Sequence, residues 1–176
     1  MRISKRQIVV AVGATLLAAI GSARADTPDY VGWAEQFRLV ARVETSMRTC
    51  ENFGYRMGVS SPKEIVSRLV NPAVSAAIRG GIDRKIAQAM LLDAVKTERE
   101  NQMFVSRHAA DGTRTGTDLD AAATTMIDYW AQRCSELADD PFGGRFVIHT
   151  SPEAEAAALQ HEREMMSRIV SRGSQH

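Results

Sequence analysis

Residues 118–138, "DLDAAATTMIDYWAQRCSELA", decide the fold class. Leu119, Ala123, Met126, Ile127, Trp130, Cys134 and Leu137 recur at steps of three and four. That spacing gathers side chains on one face of an α-helix, so the stretch predicts a helix with a buried stripe that includes a cysteine. Asp139-Asp140-Pro141 ends it, because proline cannot continue a helix.

The same period recurs upstream. Over residues 30–57, Trp33, Phe37, Val40, Val43, Met47, Cys50, Phe53 and Met57 form one apolar face, and the charged residues fall largely elsewhere. Ser61, Pro62 and Glu64 read as a capping box with proline in the first turn, opening a helix whose inner face is Ile65, Val66, Leu69 and Val70. Asn71-Pro72 predicts a break or kink, followed by a short piece ending near Arg79 at the Gly80-Gly81 stop. A third long helix is expected over residues 82–107, with Ile82, Ile86, Ala89, Met90, Met103 and Phe104 buried and the charge run 96–101 solvated. Residues 146–148 read as a brief extended stretch. Residues 152–172 form a last helix with a thin stripe of Leu159, Met166, Ile169 and Val170. A helix with so little to bury packs loosely or projects from the body. The expectation is an all-α fold: one compact bundle of four to five helices, with residues 152–176 as a loosely packed C-terminal element.

Cys50 and Cys134 are the only cysteines, each on the apolar stripe of its own helix. They are expected to form one interhelical disulfide where those stripes meet. The N-terminus gives this pairing a compartment. Arg2, Lys5 and Arg6 precede the apolar run 8–20, and Ala23-Arg24-Ala25 supplies a small-x-small cleavage pattern. These are the three parts of a secretory signal peptide, predicted to occupy residues 1–25 and to be cut between Ala25 and Asp26. The run is shorter than the ~20 residues that span a bilayer, and no other apolar run is longer. The expected mature chain, residues 26–176, is one domain located in the periplasm or secreted, where disulfides persist. An arginine-rich, alanine-rich composition suits a bacterium with a GC-rich genome. Losing Arg2, Lys5, Arg6 and Arg24 changes 22 basic and 21 acidic residues to 18 and 21, a mildly acidic balance. Nothing in that balance points to nucleic acid.

Motifs for chemistry are sparse. "DGTRTGTDLD", residues 111–120, places Asp111 and Gly116 as in a calcium loop, but Ala122 stands where the bidentate glutamate belongs. We read it as a linker, with turns at Gly112 and Gly116 and a helix cap at Thr117 or Asp118. His161-Glu162 begins like a zinc-protease motif, but Met165 replaces the second histidine. Met90, Met103, Met165 and Met166 at helical spacing read as core filler rather than copper ligands. His108 with Asp111, and His149 with Ser151, are fragments of a hydrolase without an oxyanion donor or orienting group. Glu98 and Glu100, two apart on a helix, face different ways and are expected to be solvated. No metal-ligand set, cofactor motif or catalytic residue is assigned. The sequence reads as an exported bacterial helical protein that is not an enzyme, acting as a protein-interaction or envelope-assembly factor with an unspecified protein partner. The alternative is a small-ligand or metal-binding protein, or an enzyme whose site is assembled from distant residues.

Overall fold

The computed structural model describes residues 27–114 and 119–173, an all-α bundle closed by a Cys50–Cys134 disulfide. The expected cleavage site at Ala25 and Asp26 lies outside the described residues. Helix α1 (Tyr30–Asn52) is the central element, with α4 (Arg84–Arg114) and α5 (Leu119–Asp139) packed along it. Between α1 and α4 run α2 (Pro62–Ile65), a π-helical turn (Val66–Val70) and α3 (Asn71–Arg79). Helix α6 (Pro152–Gly173) lies outside, against α5.

Asp29 starts α1 by accepting the Gly32 amide at 2.9 Å. Phe37, Val40, Val43, Met47 and Cys50 are buried along it, as their period predicts. The helix stops at Asn52 rather than continuing toward Met57. Gly54 takes a φ of +87°, and the Tyr55 amide turns back to the Cys50 carbonyl at 3.2 Å. A Cβ at Gly54 would also stand 3.0 Å from the Ala154 carbonyl oxygen, so glycine lets α6 lie directly on this corner. Beyond it, β1 (Arg56–Met57) pairs antiparallel with β2 (Val147–Ile148), the extended stretch anticipated near residue 147.

Ser61 caps α2 as expected, accepting the Glu64 amide, but the Glu64 carboxylate reaches one residue further back, to the Ser60 amide and hydroxyl. Of the break or kink expected at Asn71-Pro72, the chain shows no break but an irregular turn. The Asn71 amide bonds to the Val66 carbonyl, five residues back, and this widened turn delivers Pro72 to the opening of α3, where no donor is required. The rod stays continuous. It ends as anticipated at Gly80-Gly81, with Gly81 at φ +88° and Ile82 buried.

Helix α4 departs most from expectation. Its buried face is Ala87, Leu91, Ala94 and Glu98, whereas Ile86, Ala89, Met103 and Phe104 are exposed and Met90 is half-buried. Two alanines let α1 approach closely, and side-chain size misidentifies the packed arc. The helix also continues through residues 111–114, so Gly112 lies within it rather than at a turn. A helical glycine costs only about 1 kcal/mol, which a long helix absorbs. The linker expected over 111–120 is therefore shorter than its composition suggests; Gly116, Thr117 and Asp118 lie outside the described residues. Helix α5 keeps its anticipated stripe, with Ala123, Ile127, Cys134 and Leu137 buried and Trp130 half-buried. On α6, Leu159 and Met166 reach the core while Met165 and Ile169 remain exposed, the loose packing its thin stripe implies.

The disulfide joins α1 to α5 with a Cα–Cα distance of 5.4 Å across a separation of 84 residues. Closing a loop of that length removes about 4–5 kcal/mol of chain entropy from the unfolded state. Replacing both cysteines by serine is expected to lower the unfolding free energy in urea by a loss of that order while the helical circular dichroism is retained. A loss below about 1 kcal/mol would show that the bond constrains little.

Candidate functional site

The most distinctive concave surface is a cleft of about 680 Å³ between the start of α1, the α2–α3 rod and the loop after α5. Its apolar wall is Trp33, Leu69, Phe142 and Phe146. Trp33 is placed by the first turns of α1, which Asp29 caps, and its indole rests on Gly80. A Cβ there would stand 2.8 Å from the ring, so glycine is needed at the end of α3 for this tryptophan to sit as it does. Leu69 comes from the π-helical turn and is buried. Phe142 and Phe146 flank a 3-10 turn (Gly143–Arg145) that Asp140 nucleates by accepting the Phe142 and Gly143 amides at 2.8 and 2.7 Å. Their rings lie 5.5 Å apart.

Charge at the mouth is one-sided. Arg68, Arg79 and Arg145 line it, against one carboxylate, Asp29, which is already engaged as the α1 cap. Arg68 donates to the Gly58 carbonyl at 2.7 Å and lies 4.0 Å from Glu64. Among the described residues, neither Arg79 nor Arg145 has a carboxylate within 4.0 Å. A second groove of about 590 Å³, between α3 and α4, has one arginine and no aromatic side chain. No cleft residue carries a functional role in the sequence reading, which places Trp33 and Leu69 on buried helix faces. Arg68, Arg79 and Arg145 are dispersed along the chain, and only the fold brings them to one opening.

Glu98, expected in solvent, is instead buried in a polar junction of three helices. Arg133 on α5 donates to Glu98 on α4, through Nε to the Ser46 hydroxyl of α1 at 2.9 Å, and to the Tyr129 hydroxyl at 3.2 Å. Ser46 is fully buried, and the Arg133 and Glu98 side chains are about one-tenth exposed. Every group faces a partner, which makes the junction an interhelical clamp rather than an open reaction centre. Glu100, two residues on, is exposed and near Lys96.

His149 also finds partners that its neighbours in sequence do not supply. Its ring nitrogens lie 3.0 Å from Glu155 and 3.1 Å from Asp139, bridging the start of α6 and the end of α5. The Tyr55 ring lies 5.3 Å away. Ser151 does not join it, but caps α6 by accepting the Ala154 amide. Burial, the largest single influence on the imidazole, acts to lower its pKa, but the hydrogen bonds and charges of Glu155 and Asp139 together outweigh it and raise it above the ordinary value. Tyr55 is shifted upward too, first by burial and then by the Glu155 charge.

The remaining histidine and methionine candidates do not converge. His161 and Met165 are exposed on α6, Met166 packs inward, and Met90 and Met103 lie on α4. The His108–Asp111 pair falls outside the described side chains. Among the described residues, no three His, Cys, Asp or Glu side chains are placed to hold a metal ion.

Two predictions follow from this geometry. Arg133→Met strands a buried carboxylate and is expected to cost about 3 kcal/mol or more, with much of the loss recovered by adding Glu98→Leu. Urea denaturation of both single variants and the double measures the coupling; additive losses would show that the two groups do not act as a pair. The raised pKa of His149 implies that its stabilising contribution is complete below the ordinary value of 6.5 and is lost as pH rises through the higher folded-state value. Stability should therefore fall on that rise in wild type, and His149→Gln should flatten this part of the profile.

No protein-family model matches the chain, and no curated protein or solved structure is significantly similar to it.

Proposed function

We propose that this is an exported bacterial periplasmic protein that works by binding another protein, as a non-catalytic interaction or envelope-assembly factor. The cleft carries the reading. Tryptophan and arginine are the side chains most enriched where protein interfaces concentrate their binding energy, and here Trp33 shares one opening with three arginines and two phenylalanines. Helix α4 adds support, because Leu92, Met103 and Phe104 are 70%, 49% and 60% exposed on a long element. The Cys50–Cys134 bond and the N-terminal pattern of residues 1–25 support an oxidising destination. No described helix is long and apolar enough to cross a membrane.

The cleft volume also lies within the range of small-ligand sites, which favours a second reading as a small-molecule carrier. One experiment separates the two. A photo-crosslinking amino acid placed at Ala76, on the cleft wall, and separately at Glu164, exposed on α6, would be irradiated in the producing cell. A protein partner predicts one discrete high-mass adduct from position 76 and none from position 164. Equal adducts from both positions, or none from position 76, would overturn the reading.

A further inference from the structure

We infer that the cleft receives an acidic peptide segment: two carboxylates four residues apart, flanking an aromatic or aliphatic anchor. This rests on the interaction reading above and specifies the partner's chemistry. Arg68 and Arg79 lie on one helical rod, eleven residues apart, so at about 1.5 Å per residue their backbones are separated by roughly 16 Å. An extended peptide advances about 3.3 Å per residue and alternates its faces, so carboxylates four residues apart face the same wall about 13 Å apart, a span that long arginine side chains can meet. Arg145 enters from the 3-10 turn and adds a third cation at the same mouth. Between these charges, the part-exposed Trp33 and Phe142 offer an apolar surface for a central side chain. The cations are available as well as present. All three side chains are exposed, Asp29 is committed to its cap, and only Arg68 has a neighbouring carboxylate among the described residues. Guanidinium groups suit this task because they bind carboxylates in bidentate fashion.

The test uses the full mature chain and a capped pentapeptide, Glu-Gly-Phe-Gly-Glu, labelled for fluorescence anisotropy. Saturable binding that weakens with added salt is expected, and Arg79→Glu and Arg145→Glu should each weaken it at least tenfold. These exposed positions tolerate charge reversal, and an unchanged thermal melt shows that the fold is intact. The counterpart Lys-Gly-Phe-Gly-Lys should not bind, and neither laurate nor inorganic phosphate should compete at equal concentration. Absent binding of the acidic peptide, equal binding of both peptides, or indifference to both arginine reversals would overturn the inference. Competition by laurate would overturn it in favour of a single-headgroup amphiphile. Crosslinking at position 76 decides the parent reading separately: an adduct there with no acidic-peptide binding would leave a protein-binding cleft of different specificity.

Discussion

Ser46 and Cys50 lie one turn apart on α1, and their partners Arg133 and Cys134 are adjacent on α5. A covalent bond and a buried guanidinium therefore fix the same helix crossing. Arg133 extends that constraint to α4 through Glu98, so three long helices meet at one place with their relative rotation set. Buried ion pairs are weak sources of net stability but strong constraints on geometry, because any other rotation strands a charge away from water. The disulfide acts on the unfolded chain, whereas the clamp discriminates among folded arrangements.

The cleft lies at the other end of α1. Trp33 and Cys50 are 17 residues apart, about 25 Å along the helix. The elements around the opening carry fewer constraints than the junction: a rod with a π-helical turn, and a loop ordered by Asp140 and by the short β1–β2 ladder. This separates two demands on one chain. The clamp end holds the bundle, while the cleft end keeps exposed cations and partly exposed aromatics that would cost stability in a core.

The boundary between what could and could not be read from sequence follows the range of the interactions. The α5 stripe, the α1 face and the Cys50–Cys134 pairing were legible because each depends on local periodicity, or on there being only two cysteines in the chain. The α1 terminus was misread because Phe53 and Met57 keep the helical spacing after Gly54 has turned the backbone. The packed face of α4 was hidden because alanines mark it and larger Met103 and Phe104 point outward. Glu98 looked solvated because its partner lies 35 residues away. Nothing local could identify the cleft: Trp33, Arg79 and Arg145 become neighbours of one opening only after three elements have packed.

Pro72 links these scales. Its ring cannot donate to the carbonyl four residues back, a conflict that ordinarily bends a helix. Here the Asn71 amide reaches Val66 instead, and the extra residue is absorbed in a π-helical turn. An inserted residue rotates everything before it by about 100° relative to everything after it. The turn thus sets which face Arg68 and Leu69 present relative to Ala73, Ala76 and Arg79, and all five border the cleft. Leu69, Ala73, Ala76 and Arg79 follow one another at steps of three and four, so an uninterrupted α-helix would also gather them on one side, and the turn adjusts the angle between them. The π turn lets the rod accommodate Pro72 and continue unbroken as one wall of the cleft, consistent with the frequent occurrence of π turns at functional sites.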